Sequence, residues 1–144
     1  MIEIKTGIRL AKEDALDLLN YFDDSSDHPL HEDLDFEIYS DKLSTYAYFV
    51  IAFENDRAIG FIAYYLNEEG RFAYIPQIVV HRDGRHRGVG HAMFEAFFKS
   101  VMEEYSTVRL EVLKSNYNAR NFYAREGFIA IEDHNERLLL EKKL

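Results

Sequence analysis

The sequence predicts an α/β domain in the broad sense: a mixed, mostly antiparallel sheet of about seven strands carrying about four helices, in the order β-α-α-β-β-β-α-β-α-β-β. Two observations carry this. Three runs rich in β-formers follow one another between Tyr46 and Val80, parted only by turn residues, which implies antiparallel neighbours. Beyond them a helical pattern separates the strand ending at Val80 from the alternating Val108, Leu110 and Val112, which implies at least one parallel crossover. The chain has 144 residues and no repeat or linker that would divide it, so residues 1–144 read as one domain.

Each element has its own warrant. Ile2, Ile4, Ile8 and Leu10 suggest a first strand, interrupted or ended near Gly7. Ala15, Leu18, Leu19 and Phe22 recur at helical spacing and place a helix over Lys12–Phe22. A polar stretch with turn residues, 23–29, precedes a weaker helix over Phe36–Leu43. Tyr46–Phe53 reads as a buried strand, Asn55-Asp56 as a turn, Ala58–Tyr65 as the returning strand, and Phe72–Val80 as the third. Val89, Met93, Ala96, Phe97 and Val101 share one face of a helix over Gly88–Glu104. Val108–Val112 is the next strand. Ala119, Phe122 and Tyr123 then share a helix face, with Asn116 or Asn118 as its cap and Gly127 as its stop. Phe128–Ile131 and Leu138–Leu140 close the order as two last strands.

Composition removes whole classes of function. There is no cysteine, which excludes disulfides, thiolate metal sites, iron–sulfur clusters and a cysteine nucleophile. The first residues lack the long apolar stretch of a signal peptide. The longest apolar run, Tyr46–Phe53, falls far short of the roughly 18 residues of a membrane span. The expected address is the cytoplasm, with no membrane partner. A net charge of −9 makes a poor generic binder of nucleic acid, whose affinity rests on Lys and Arg against phosphate.

One segment inverts that charge. From His81 to His91 the chain carries three Arg, three His and one Asp, with Gly84, Gly88 and Gly90 among them. It joins a buried strand to an amphipathic helix. A helix start offers unpaired N–H groups and the positive end of a dipole, and glycines let an anion approach the main chain. Such a site most often takes phosphate. A P-loop would need Gly-x-x-x-x-Gly-Lys-Ser/Thr, which is absent. A dinucleotide fold would need a third glycine where Met93 stands, and a tighter turn after Val80.

The spacing Arg85-x-x-Gly88-x-Gly90 resembles the Arg/Gln-x-x-Gly-x-Gly/Ala signature of the GNAT superfamily of N-acetyltransferases. A second segment, Asn116-Tyr117-Asn118-Ala119-Arg120-Asn121-Phe122-Tyr123-Ala124-Arg125-Glu126-Gly127-Phe128, is similar to that superfamily's Asn-x-x-Ala-x-x-Leu/Phe-Tyr-x-x-x-Gly-Phe. The element order matches almost end to end. The resemblance implies acetyl-CoA as cosubstrate, no metal, and a small-molecule or protein amine as acceptor. It implies direct attack of that amine on the thioester in a ternary complex. A CoA-binding sensor or interaction domain without chemistry is the alternative. Dimers are common in the family, so a homodimer is open.

The same resemblance assigns roles. Ile78, Val79 and Val80 would pair with pantetheine like an added strand, with the Val80 N–H aimed at the thioester oxygen. The main chain over Arg85, His86, Arg87, Gly88, Val89, Gly90 and His91 would hold the diphosphate, with the Arg85 and Arg87 side chains as cationic partners. Asn116 would touch the cofactor from the other side. Tyr123 would be the general acid for the departing thiolate, a transfer from a phenol near 10 to a thiol near 8.5. At helical spacing alone it would read as a core aromatic.

The base departs from the family pattern. Many relatives carry Glu on the strand where this chain has Pro76, followed by Gln77. An amine like that of lysine lies about 3.4 units below its pKa at neutral pH, so freeing its lone pair costs roughly 4.6 kcal/mol. Glu111 acting through water, His81 or Tyr74 could serve, or the acceptor could have a low pKa and need little help. On the acceptor side, Asp23, Asp24, Asp27, Glu32, Asp33, Asp35 and Glu37 crowd the segment between the first two helices. They would draw a cationic acceptor or simply form a solvated loop. His28-x-x-His31 beside Asp27 and Glu32 hints at a metal, but Pro29 disfavours the regular helix that would bring such ligands onto one face.

Overall fold

Seven strands form one sheet in the computed structural model, which describes residues 1–25 and 29–144. They are β1 (Ile2–Ile8), β2 (Tyr48–Glu54), β3 (Arg57–Asn67), β4 (Phe72–Val80), β5 (Thr107–Leu113), β6 (Ile129–His134) and β7 (Arg137–Lys143), in the spatial order β1-β2-β3-β4-β5-β7-β6. Every neighbouring pair is antiparallel except β4 with β5. The crossover between those two is the helix α3 (Val89–Val101). The expected fold class and element order therefore both hold.

Helices cover both faces. α1 (Lys12–Phe22) and α2 (Phe36–Tyr46) bury Ala15, Leu19, Phe22 and Leu43 against Phe49, Ile51, Phe61 and Val79 of the sheet. α3 and α4 (Tyr117–Arg125) bury Met93, Phe94, Phe97 and Tyr123 against Val50, Ile62, Ala73, Ile75 and Leu110 on the other face. Alternation along β4 divides its last residues between the two cores. Val79 joins the α1–α2 side, and Ile78 and Val80 join the α3–α4 side. Among the described residues no helix is long and apolar enough to cross a membrane.

The differences from expectation lie at element ends. α2 runs on to Tyr46, because the Ala47 N–H still bonds the Leu43 carbonyl at 2.9 Å, and so β2 begins at Tyr48. α3 ends at Val101, short of Glu104. β6 and β7 are longer than their apolar cores suggested. Their outer residues are charged, and such residues leave no alternation to read. The expected break near Gly7 is a register shift between Lys5 and Ile8, with Gly7 at φ +67.

Candidate active site

The sheet opens at one point. β4 and β5 pair only from Phe72 with Thr107 to Ile75 with Leu110. The next β4 residue is Pro76, which has no N–H to offer a ladder. A register shift against β3 falls at the same place, between Tyr74 and Gln77. Beyond it β4 stays with β3, while β5 stays with β7 as far as Leu113. The His81 N–H donates to the Ile59 carbonyl at 2.8 Å, so Gly60 and Val80 are a pair that exchange no bonds. The Val80 N–H and carbonyl therefore face the gap, and by alternation so do those of Ile78.

A cavity of about 720 Å³ lies between this gap, the loop after β4 and the start of α3. Ile78, Val80, Arg85, His86, Gly88, Val89, Gly90, His91 and Tyr123 all line it. The backbone there is shaped for a close approach. Gly88 sits at φ +76, His86 at φ +61, and α3 starts with no side-chain cap. The first α3 N–H groups thus point into the cavity without an internal partner. At Gly90 a Cβ would stand 2.9 Å from Cζ of Phe122, so only glycine lets α3 and α4 meet this closely.

The arginines of the loop divide their work. Arg82 pairs with Asp24 at 3.0 Å. Arg87 turns away from the cavity and holds the Glu54 carboxylate at the end of β2, with a second bond to the Asp83 carbonyl at 3.2 Å. That guanidinium keeps Glu54 below the usual carboxylate range. Arg85 has no ion pair among the described residues and lines the cavity. His91 donates toward Glu126 at 2.8 Å, and this hydrogen bond raises its pKa above 6.5. The Glu126 side chain is only 9% exposed, so the pair places a compensated carboxylate beside the helix start.

Tyr123 is buried beneath Phe94 and Phe128, and burial pushes its phenol up to about 12. It also lines a second cavity of about 290 Å³ on the β5 side of the gap, shared with Ile78. Asn116 lines this smaller cavity rather than the larger one, and its Oδ1 caps α4 by accepting the Ala119 N–H at 3.2 Å. Val79 points to the opposite core and lines neither cavity.

The three candidates for the base separate clearly. Glu111 lines the smaller cavity. Tyr74 donates to it at 3.4 Å, and burial together with the Glu111 charge pushes that phenol up to about 12. A phenol so weakly acidic stays protonated. His81 lines neither cavity. Its Nδ1 accepts the Asp83 N–H at 3.2 Å, and its ring stacks on Tyr21 with centroids 5.5 Å apart.

Most of the acidic segment is engaged within the fold. Asp23 holds His31 at 2.7 Å, Asp35 caps α2 through the Ile38 N–H at 3.2 Å, and Glu37 pairs with Lys12 at 3.1 Å. Asp33 and Leu34 line the smaller cavity. Asp27 and His28 lie outside the described residues. Among those described, no group of three or more His, Asp or Glu side chains is arranged to hold a metal ion.

Some lining residues had no role in the sequence reading. Phe122, Arg125 and Glu126 line the larger cavity, and Arg137 lines the smaller one. The first three stand at i, i+3 and i+4 of one helix face, beside Tyr123, and that spacing was a readable signal. Arg137 reaches its cavity through strand pairing, which has no local signature.

Solved structures share this architecture. PaiA N-acetyltransferase from Thermoplasma acidophilum, in complex with coenzyme A, is 20% identical with a TM-score of 0.79, covering 100% of this chain and 99% of that one. The ribosomal-protein-S18-alanine N-acetyltransferase from Escherichia coli is 17% identical with a TM-score of 0.80, covering 99% and 94%. An IAA acetyltransferase from Bacillus cereus is 13% identical with a TM-score of 0.75, covering 100% of each. No curated protein sequence matches the chain. The acetyltransferase (GNAT) family model matches residues 13–128, which take in the glycine loop and the helices α3 and α4 that follow it, and the chain belongs to that family.

Proposed function

We propose that the protein transfers the acetyl group of acetyl-CoA to a primary amine of a small molecule or protein, both reactants meeting at the gap between β4 and β5. The observation that carries this is one continuous surface. The uncapped start of α3 leads past the gap-facing polar groups of Val80 and Ile78 to Tyr123, which borders both cavities. The α3 N–H groups and Arg85 suit a diphosphate. The reading gives the Val80 N–H the role of stabilising charge on the thioester oxygen, and Tyr123 that of protonating the leaving sulfur. Glu111 takes the amine's proton through water, since among the three candidates it alone is a carboxylate on the acceptor side of the gap. Holding both reactants in one cleft turns a bimolecular encounter into an effectively unimolecular step. The reading carries with it a cytoplasmic address and, by family habit, leaves a homodimer open.

The test is thiol release from acetyl-CoA across a panel of amines, beside calorimetry with acetyl-CoA alone. Turnover on at least one amine is expected. Tight binding with no turnover on any amine would instead make the domain a sensor, a reading that Pro76 favours by standing where many relatives carry a carboxylate.

A further inference from the structure

Beyond the cavities, one cluster of titratable side chains crosses three strands. His134, on the edge strand β6, reaches over β7 to Glu111 of β5. Its Nδ1 lies 2.8 Å from one Glu111 oxygen, and its Nε2 lies 2.7 Å from Glu132. The other Glu111 oxygen accepts from Tyr74 of β4. A ring with a carboxylate at each nitrogen must donate from both, so it is an imidazolium whenever both acids are ionised. Glu111 is thereby held from two sides, by a phenol and by a cation, at the wall of the smaller cavity.

We infer that His134 is a positioning residue for the transfer reaction, fixing the Glu111 carboxylate in the orientation from which it receives the acceptor's proton. This rests on the assignment of Glu111 as the base. Without its charge, the ring keeps one N–H for two carboxylates, and Glu111 is free to turn from the cavity. The other groups facing the cluster are accounted for. Asp133 of β6 is tied to Lys114 at 2.7 Å, and Arg137 of β7 stands opposite His134 in register. Hydrogen bonds to Glu111 and then Glu132 raise the imidazole pKa above 6.5. The charge is therefore present at low pH and lost as pH rises through that elevated value.

The experiment compares wild type with His134→Gln, Glu132→Gln and Glu111→Gln, using acetyl-CoA and the panel amine that releases thiol fastest. Calorimetry with acetyl-CoA and thermal melting serve as controls for folding. Wild-type kcat, taken relative to that of His134→Gln so that the acceptor's own deprotonation cancels, falls as pH rises through the imidazole titration. In His134→Gln kcat is lower by roughly tenfold, a part of the ~10²–10⁴ that a positioned base contributes, and that inflection is gone. In Glu132→Gln the inflection moves to lower pH, because a carboxylate that favoured the charged ring has been removed. If His134→Gln keeps the wild-type profile, or Glu132→Gln leaves the inflection in place, the inference is overturned. The Glu111→Gln variant separates the two levels. Loss of turnover there beside an unaltered His134→Gln profile discards only His134, whereas full turnover in Glu111→Gln discards the base and its support together.

Discussion

Tyr123 shows how a fold changes the chemistry of a single side chain. A free phenol near 10 would protonate a thiolate of conjugate pKa near 8.5 at modest cost, but burial lifts this one to about 12. The mismatch of ~3.5 units corresponds to about 5 kcal/mol. In the proposed role, a sulfur leaving in the same dry pocket would be raised by the same desolvation, which narrows the gap. With so high a pKa the acid form persists across the working range. The pH profile should therefore show no limb from Tyr123 below about pH 11. Tyr123→Phe should keep the fold and acetyl-CoA affinity while turnover falls by roughly 10²-fold or more, as read by thiol release and calorimetry. Arg85 and Arg87 looked equivalent in the sequence and are not equivalent in space. Arg85→Ala should weaken acetyl-CoA binding by roughly tenfold, through loss of a charge-assisted bond. Arg87→Ala should do less, because its partner is Glu54. Calorimetry on both variants checks the order. The motif marked both arginines as candidate cationic partners; which one faces the cavity depended on a glutamate at the end of another strand, and no local pattern records that.

Elements were legible where apolar residues set a period, and their ends where a cap or a glycine marked them. Asn116 and Asn118 were equal candidates to start α4. The Ala119 N–H chooses Asn116, whose Oδ1 accepts it at 3.2 Å. Gly127 stops the helix at φ +99, with the Phe128 N–H bonded back to the Tyr123 carbonyl at 3.0 Å. The glycine pair of the loop has two separate physical causes. Gly88 is required by its backbone angle, and Gly90 by the ring of Phe122. Gly90→Ala should therefore destabilise the protein by about 1–3 kcal/mol through overpacking. Pairing it with Phe122→Leu should restore part of that loss, a coupling that denaturant melts of the two single variants and the double would reveal. The contact that forbids a side chain at Gly90 comes from α4, so it had no sign in the loop itself.

At the scale of the molecule, the sheet separates two approaches to one opening. The larger cavity reaches Tyr123 from the α3 side and the smaller from the β5 side. The proposed direct attack needs both reactants together, and there is no cysteine to carry the acetyl group between visits. Initial-rate plots against acetyl-CoA at several acceptor concentrations should intersect. Parallel lines would mean a covalent enzyme intermediate and another chemistry. The topology followed from the order of elements, and the glycine loop pointed to the wall of the larger cavity. The network from Tyr74 through Glu111 to His134 was hidden, because it is assembled from β4, β5 and β6 by strand register alone. Pro76 stands where β4 and β5 part company, and its ring cannot supply the donor that would zip them farther. The rift is thus built into covalent structure before any reactant arrives. Neither substrate has to prise strands apart, so loading both should leave the sheet's outline unaltered, and turnover should keep step with bond-making rather than with a door that swings.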